Sequence, residues 1–162
     1  MRRVNLIPMA GEGIRFINAG YDIPKPMIKI NGLPMIISSA KSLPDADIWI
    51  FICRKQHVLD FKIDILLKKH FPSSVIISVD YLTDGQASTC LLAQEYLNPD
   101  DILIIVSFDN KIEFDNHNYQ KKIKSTDALV WTFRNNKTVV KNPAMYGWAN
   151  LDPHGRVTGI SC

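Results

Sequence analysis

The segment Gly11-Glu12-Gly13 places two glycines around one acidic residue, and Arg15 follows closely. The apolar residues 4–8 just before it predict a short β-strand. Glycines after a strand let backbone N–H groups approach an anion without a Cβ in the way. The planar guanidinium of Arg15 suits phosphate oxygens. The spacing therefore indicates a phosphate-binding loop, and the open alternative is a tight turn with a solvated arginine.

A single lysine stands between two prolines in the segment Pro24-Lys25-Pro26. Because proline fixes its own backbone φ angle, the pair restricts where the ammonium can go. A lysine held near a phosphate loop can neutralise charge that develops on a transferred phosphoryl group. The alternative is a rigid surface turn, and nearness to the glycine-rich segment favours the functional interpretation.

Asp109 follows the apolar residues 102–106, which predict a fourth strand, buried like 48–53. In open α/β sheets, ligands lie outside the carboxyl ends of the strands. Mg²⁺ needs only one or two protein carboxylates when it also binds phosphate oxygens and water. We therefore expect Asp109 to hold Mg²⁺, the alternative being a turn aspartate before Asn110.

The segment 82–88 lies between a predicted strand and a predicted helix. Gly85 permits close backbone approach to a ligand, and Gln86 or the main chain could recognise the edge of a base. The alternative is an ordinary helix N-terminus capped by Thr83, Asp84 or Ser88.

These residues require a scaffold of alternating strands and helices. Apolar runs predict strands over 4–8, 48–53, 75–79, 102–106 and 128–133. Helical spacing or capping signals predict helices over 34–41, 56–70, 87–97 and 117–124. The residues expected to face the core of the second and third helices are Leu59, Ile63, Leu66 and Leu67, and Cys90, Leu91, Ala93 and Tyr96. Residues 146–151 and 156–160 flank a turn and predict a hairpin. The pattern favours an α/β fold, a mostly parallel sheet with helices on both faces and an antiparallel hairpin near the C-terminus.

Composition limits the function classes. A length of 162 residues favours one domain over 1–162. A net charge of +3 with scattered basic residues gives no reason to expect nucleic-acid binding, and no apolar run is long enough to span a membrane. Three cysteines without metal or disulfide spacing, and no export signal, favour a cytoplasmic protein with reduced thiols.

Because the chain stops just after a predicted strand, we expect a domain truncated at the C-terminus and itself inactive in transfer. Its open sheet edge could form a homo-oligomer.

The motifs together, in this order, resemble the sugar-phosphate nucleotidyltransferase family. The family loop is similar to residues 7–16, and its proline-flanked lysine is similar to Pro24-Lys25-Pro26. Residues 82–87 look like the family's base-recognition loop, and Phe108-Asp109-Asn110 looks like its metal-aspartate motif. Residues 146–158 resemble the strand pair before the sugar site. The resemblance implies a Rossmann-like fold of the nucleotide-diphospho-sugar transferase type.

By the same resemblance, a sugar phosphate or similar acceptor attacks the α-phosphorus of a nucleoside triphosphate (NTP), and pyrophosphate leaves. Arg15 and Lys25 would be catalytic, and Asp109 would bind Mg²⁺. The nucleotide would contact Ala10, Gly11, Glu12, Gly13, Thr83, Gly85 and Gln86.

Two residues depart from the family pattern. Ile14 stands where the family usually has Ser or Thr, and Phe108 stands where a small residue precedes the aspartate. They motivate a second hypothesis, a nucleotide-binding module without turnover. A third is a glycosyltransferase of similar architecture, in which Asp109 would be the remnant of a two-aspartate metal motif.

Overall fold

The computed structural model describes residues 1–161, which form two compact units. The first unit covers Met1–Phe114, and the second begins at Asp115. The strands of the first unit are β1 (Arg3–Met9), β2 (Lys29–Ile30), β3 (Leu33–Pro34), β4 (Ile48–Arg54), β5 (Val75–Val79) and β6 (Ile102–Ile105). Its α-helices are α1 (Ile14–Asn18), α2 (Met35–Ala40), α3 (Lys55–Phe61), α4 (Ile63–His70) and α5 (Gln86–Leu91), with short 3-10 helices at Lys25–Met27 and Gln94–Tyr96.

Four strands form a parallel sheet in the order β5-β4-β1-β6. The central strand β1 pairs with β4 on one side, where Val4 lies opposite Ile48, and with β6 on the other, where Arg3 lies opposite Ile102. Every residue of β1 after Arg3 is buried. The predicted parallel sheet is confirmed, and β2 and β3 form a separate small hairpin.

Helices cover both faces of the sheet, as a parallel sheet requires. On one face, side chains of β1 and β4 pack against α2 and α4, and the fully buried members include Ile7, Phe51, Ile36 and Leu67. The other face packs Leu6, Ile50, Ile52 and Val79 against Ala93. The continuous apolar runs in β1 and β4 follow from this burial on both faces.

Three predictions about individual elements were wrong. Residues 102–106 are not a strand buried on both faces, because β6 is an edge strand whose Leu103 and Ile105 are exposed. The predicted helix over 56–70 is two helices, because the backbone at Lys62 adopts a left-handed φ of 53°. Leu59 is consequently exposed, whereas Ile63 and Leu67 are buried as predicted.

The predicted helix over 87–97 is shorter than expected. It ends at Leu91 and is followed by the 3-10 helix Gln94–Tyr96. The turn between them directs Leu91 and Tyr96 to solvent, so only Ala93 is fully buried among the residues predicted to face the core, with Cys90 half-buried.

The second unit contains α6 (Asn116–Lys122), α7 (Lys137–Lys141), β7 (Trp148–Leu151), β8 (Val157–Ser161) and a 3-10 helix at Pro143–Met145. The predicted C-terminal hairpin is confirmed as the antiparallel pair β7–β8. The predicted strand over 128–133 is wrong, since these residues have no regular secondary structure. An apolar run forms a strand only where a neighbouring strand accepts its backbone hydrogen bonds.

Cys53 and Cys90 are free thiols, and burial raises the pKa of Cys53 to about 12. Cys162 lies outside the described residues. Within residues 1–161, none of the helices has the length and apolar character needed to cross a bilayer.

Candidate functional site

The candidate site lies at the carboxyl ends of the parallel strands. The glycine-rich loop follows β1, and Ser107-Phe108-Asp109 follows β6. These two strands are neighbours in the sheet although β4 and β5 intervene in the chain. Ligands of open α/β sheets bind in the crevice where the strand order reverses in this way. The topology therefore brings together two motifs that the sequence places far apart.

Gly11 and Gly13 have different roles in the loop. A Cβ built on Gly11 would have no atom within 4 Å, so the space beside it is open to a ligand. Gly13 is the N-cap residue of α1 and has a left-handed φ of 69°, which favours glycine. Its carbonyl oxygen accepts a hydrogen bond from the backbone N–H of Phe16 at 2.8 Å. The loop thus combines one open glycine with one that sets its shape.

Lys25 is held in a defined position. Pro26 is buried and fixes the backbone beside it. The ammonium forms an ion pair with the carboxylate of Asp109. It also lies 4.9 Å from the ring centre of Phe16 and 5.2 Å from that of Phe108, within the range of cation–π attraction. Phe108 therefore packs against the lysine that the sequence predicts to act on phosphate.

The carboxylate of Asp109 accepts hydrogen bonds from two side chains, the ammonium of Lys25 and the hydroxyl of Ser107. Burial alone would raise the pKa of Asp109, but these hydrogen bonds outweigh it and hold the pKa below its usual value. The side chain is 30% exposed, so a ligand can reach it. Asp109 is therefore an accessible and ionised carboxylate.

The donor set fits magnesium that arrives with a nucleotide. No group of three or more acidic, histidine or cysteine side chains able to hold a metal occurs among residues 1–161. Asp109 would supply one oxygen ligand, and phosphate oxygens and water would supply the others. Because Lys25 already binds this carboxylate, a metal there must compete with the ammonium or share the carboxylate with it.

The predicted base loop follows β5, which lies at the opposite edge of the sheet from β6. The hydroxyl of Thr83 contacts the carbonyl oxygen of Gly85 at 3.3 Å and the hydroxyl of Thr89 at 2.5 Å. Gly85 itself occupies the helix N-cap, with no side-chain capping bond and a φ of 136°. Thr83 therefore does not cap the helix, and its hydroxyl instead makes contacts within the loop. The side chain of Gln86, next to Gly85, is exposed.

Arg15 is exposed on α1. Arg15 is not one of the described residues that line the two cavities next to the glycine-rich loop. The structure brings Lys25 and Asp109 together but leaves Arg15 apart from them.

Arg54, the last residue of β4, and His57 of the following helix α3 line the larger of the two cavities, which has a volume of about 510 Å³. Arg54 forms a long ion pair with Glu12, with a distance of 3.7 Å between Nη1 and Oε1. Burial and the positive charge of Arg54 lower the pKa of His57. Sequence reasoning missed Arg54, although a basic residue directly after a buried strand is a signal for this edge of the sheet.

A nucleotidyl transferase family model matches residues 4–161. Three solved structures are similar to the chain. A proposed glucose-1-phosphate thymidylyltransferase from Bacillus anthracis, in complex with sucrose, is 18% identical with a TM-score of 0.73 over 98% of this chain and 63% of its own. HddC from Yersinia pseudotuberculosis, complexed with GMP-PN, is 22% identical with a TM-score of 0.66 over 99% and 68%. A nucleoside-diphosphate-sugar pyrophosphorylase from Vibrio cholerae is 22% identical with a TM-score of 0.56 over 72% and 52%.

At these identities the structures support the fold, which is that of the nucleotide-diphospho-sugar transferases. The chain spans 52% of the Vibrio cholerae protein and 63% of the Bacillus anthracis protein. No curated protein sequence matches it.

Proposed function

The chain belongs to the nucleotidyl transferase family, and on this premise we propose that it takes part in nucleotidyl transfer from an NTP to a sugar phosphate or similar acceptor. A phosphate oxygen of the acceptor attacks the α-phosphorus. The bond from that phosphorus to the oxygen bridging to the β-phosphate breaks, and pyrophosphate leaves with the bonding electrons. The family match favours this reaction over glycosyl transfer.

The observation that carries the proposal is the pairing of Lys25 with Asp109 beside the glycine-rich loop. At one crevice beside the strand ends, a cation can contact the phosphate oxygens of a triphosphate and an ionised carboxylate can contact its metal ion. The backbone of Ala10 to Gly13 would hold the phosphates, and Lys25 would neutralise charge at the α-phosphate. Asp109 would hold Mg²⁺, which supplies charge neutralisation of the phosphates when bound.

Most of the catalytic effect would then come from positioning and charge stabilisation, because transfer of this kind asks little covalent chemistry of the protein. Lys25 is well suited to this role because its ammonium is fixed by Asp109 and two aromatic rings. Its charge needs little reorganisation during the reaction. Arg15, which is exposed, would have to turn toward the loop to contact phosphate.

Pyrophosphate release tests the proposal. The full-length gene product is incubated with each of the four NTPs, Mg²⁺ and a panel of sugar 1-phosphates. Lys25→Met should lower kcat about a hundredfold, the effect of removing a group aimed at the transition state, while changing NTP affinity less. Lys29→Met, which removes an exposed lysine in β2, is the matched control.

The competing hypothesis makes the opposite prediction. A nucleotide-binding module would bind an NTP with no pyrophosphate released for any acceptor. Equal kcat in the wild type and Lys25→Met would instead reduce the proline-flanked lysine to a structural turn.

A further inference from the structure

Two buried polar atoms, one on the last residue of β4 and one on α3, have no hydrogen-bond partner among residues 1–161. They are Nη1 of Arg54 and Nδ1 of His57. Buried polar groups in folded proteins are normally hydrogen-bonded, and leaving one unpaired costs stability. Both side chains line the larger cavity beside the glycine-rich loop. The pair is therefore a candidate for contact with a ligand that the proposed site receives.

Glu12 compensates the charge of Arg54 only in part. The 3.7 Å between Oε1 and Nη1 is within ion-pair range but too long for a hydrogen bond. The side chain of Glu12 is 42% exposed and can move into solvent. The side chain of Arg54 is less exposed, at 21%. An anion that offers closer oxygens would be a better partner for Arg54 than Glu12 is.

His57 complements the guanidinium as a neutral donor. Burial and the charge of Arg54 lower the pKa of its imidazole, so the uncharged form is favoured. Asp60 has the opposite, smaller effect. In the tautomer with hydrogen on Nδ1, the ring can donate one hydrogen bond to an oxygen. Arg54 and His57 together offer a charged fork and a neutral donor, a combination suited to phosphate.

The two cavities are adjacent, because they share lining residues. A smaller cavity of about 200 Å³ reaches Phe108, next to Asp109. The larger one reaches Arg54. The residues that line both are Glu12, Gly13, Lys25 and His57. A chain of phosphates could therefore run from Asp109 past Lys25 to Arg54.

We propose that Arg54 and His57 bind the β- and γ-phosphates of the NTP, the part that leaves as pyrophosphate. The inference rests on the proposed function, which puts the α-phosphate at Lys25 and Asp109. The guanidinium contacts two phosphate oxygens, and His57 donates to a third. Glu12 leaves Arg54 when the phosphates arrive.

Titration of the chain with inorganic pyrophosphate tests this site by calorimetry. Arg54→Met should weaken pyrophosphate binding about tenfold or more, as expected for loss of a charged hydrogen-bond partner. Glu12→Gln should strengthen it, because a competing carboxylate is removed. In the double variant Arg54→Met with Glu12→Gln, that gain should largely disappear, since the two residues act on each other.

Lys55→Met is the matched control. Lys55 is the next residue in the chain, is 54% exposed and pairs with Asp80 at 3.3 Å. Lys55 is not one of the described residues that line the two cavities. Its loss should change pyrophosphate affinity less than twofold. Thermal unfolding of every variant checks the fold, and if Arg54→Met does not fold, Arg54→Lys should still weaken binding because lysine lacks the fork.

The source of the phosphate is distinguished by parallel titrations with an NTP, the matching nucleoside monophosphate and glucose 1-phosphate. Arg54→Met should weaken NTP binding and leave the other two unchanged. A loss confined to glucose 1-phosphate would overturn the assignment, because the subsite would then hold the acceptor. Equal pyrophosphate affinity in the wild type and Arg54→Met would also overturn it.

Failure of the phosphate subsite and failure of the proposed function give different results. If the wild type binds an NTP and Arg54→Met binds it equally well, the subsite is wrong and the proposed function stands. If the wild type binds pyrophosphate through Arg54 but no NTP, the proposed function is wrong and only a pyrophosphate site remains.

Discussion

The ammonium of Lys25 forms an ion pair with the carboxylate of Asp109, 84 positions further along the chain. The pair exists because β1 and β6, whose following segments carry the two residues, are neighbours in the sheet. It couples the residue proposed to act on the α-phosphate to the residue proposed to hold magnesium. Binding of Mg²⁺ with a nucleotide would then draw on both partners of this contact.

The pair predicts a specific dependence of stability on pH. Because the folded pKa of Asp109 lies below its ordinary value of 3.8, the ionised form stabilises the fold above that value. This contribution is lost as the pH falls through the folded pKa. The free energy of unfolding of the wild type relative to Asp109→Asn should therefore be constant near neutral pH and decrease below about pH 4.

Urea unfolding between pH 2.5 and 7 measures this difference. Asp80→Asn, which removes an exposed carboxylate just after β5, controls for the general loss of a negative charge. A difference between the wild type and Asp109→Asn that grows as the pH falls would mean that burial, and not Lys25, determines the protonation of Asp109.

The two loop glycines should separate stability from binding. Gly13→Ala puts a Cβ on a backbone with a φ of 69° and 3.6 Å from Cβ of Lys25. We expect it to lower the free energy of unfolding by about 1–2 kcal/mol. Gly11→Ala, whose Cβ meets open space, should stay within about 0.5 kcal/mol of the wild type.

The same two variants should differ in nucleotide binding. If phosphates approach Gly11 closely, Gly11→Ala should weaken NTP affinity in spite of its unchanged stability. Thermal unfolding and calorimetric titration measure the two effects side by side. An unchanged NTP affinity in Gly11→Ala would show that the phosphates do not pass this glycine.

Gln86 tests the predicted base loop. If its amide recognises a base edge, Gln86→Ala should change the relative affinities of the four NTPs, because the bases present different donors and acceptors. Gln94→Ala, an exposed glutamine in the following 3-10 helix, is the control. Equal weakening of all four NTPs by Gln86→Ala would argue for a role outside base selection.

The sequence predicts the central strands well because their burial on both faces leaves continuous apolar runs, as in residues 48–53. The same kind of run at 102–106 does not reveal its edge position, since strand order depends on pairing between distant segments. The apolar residues 128–133 also predict a strand, but they have no regular secondary structure. Cytoplasmic location, a single domain and a homo-oligomer stay predictions.

The site, like the fold, is only partly predictable from local sequence. Local spacing identifies Lys25 and Asp109 separately, because each lies in a recognisable motif. Their contact with each other depends on the adjacency of β1 and β6, which no local pattern encodes. Arg54 was missed for a related reason. Its position after the apolar run 48–53 is one signal, but its significance comes from the cavity and from an Nη1 without a hydrogen-bond partner, which the neighbouring residues do not reveal.

Calorimetric titration of an NTP with and without Mg²⁺ shows whether Asp109 binds the magnesium of an NTP held at the glycine-rich loop. The wild type should bind more tightly with Mg²⁺, by about tenfold, the scale of one charged interaction. Asp109→Asn should lose this gain but bind no more weakly than the wild type in the absence of Mg²⁺, because it lacks the carboxylate that pairs with Lys25. Asp80→Asn should behave as the wild type. An equal gain from Mg²⁺ in the wild type and Asp109→Asn would mean that Asp109 does not bind the metal.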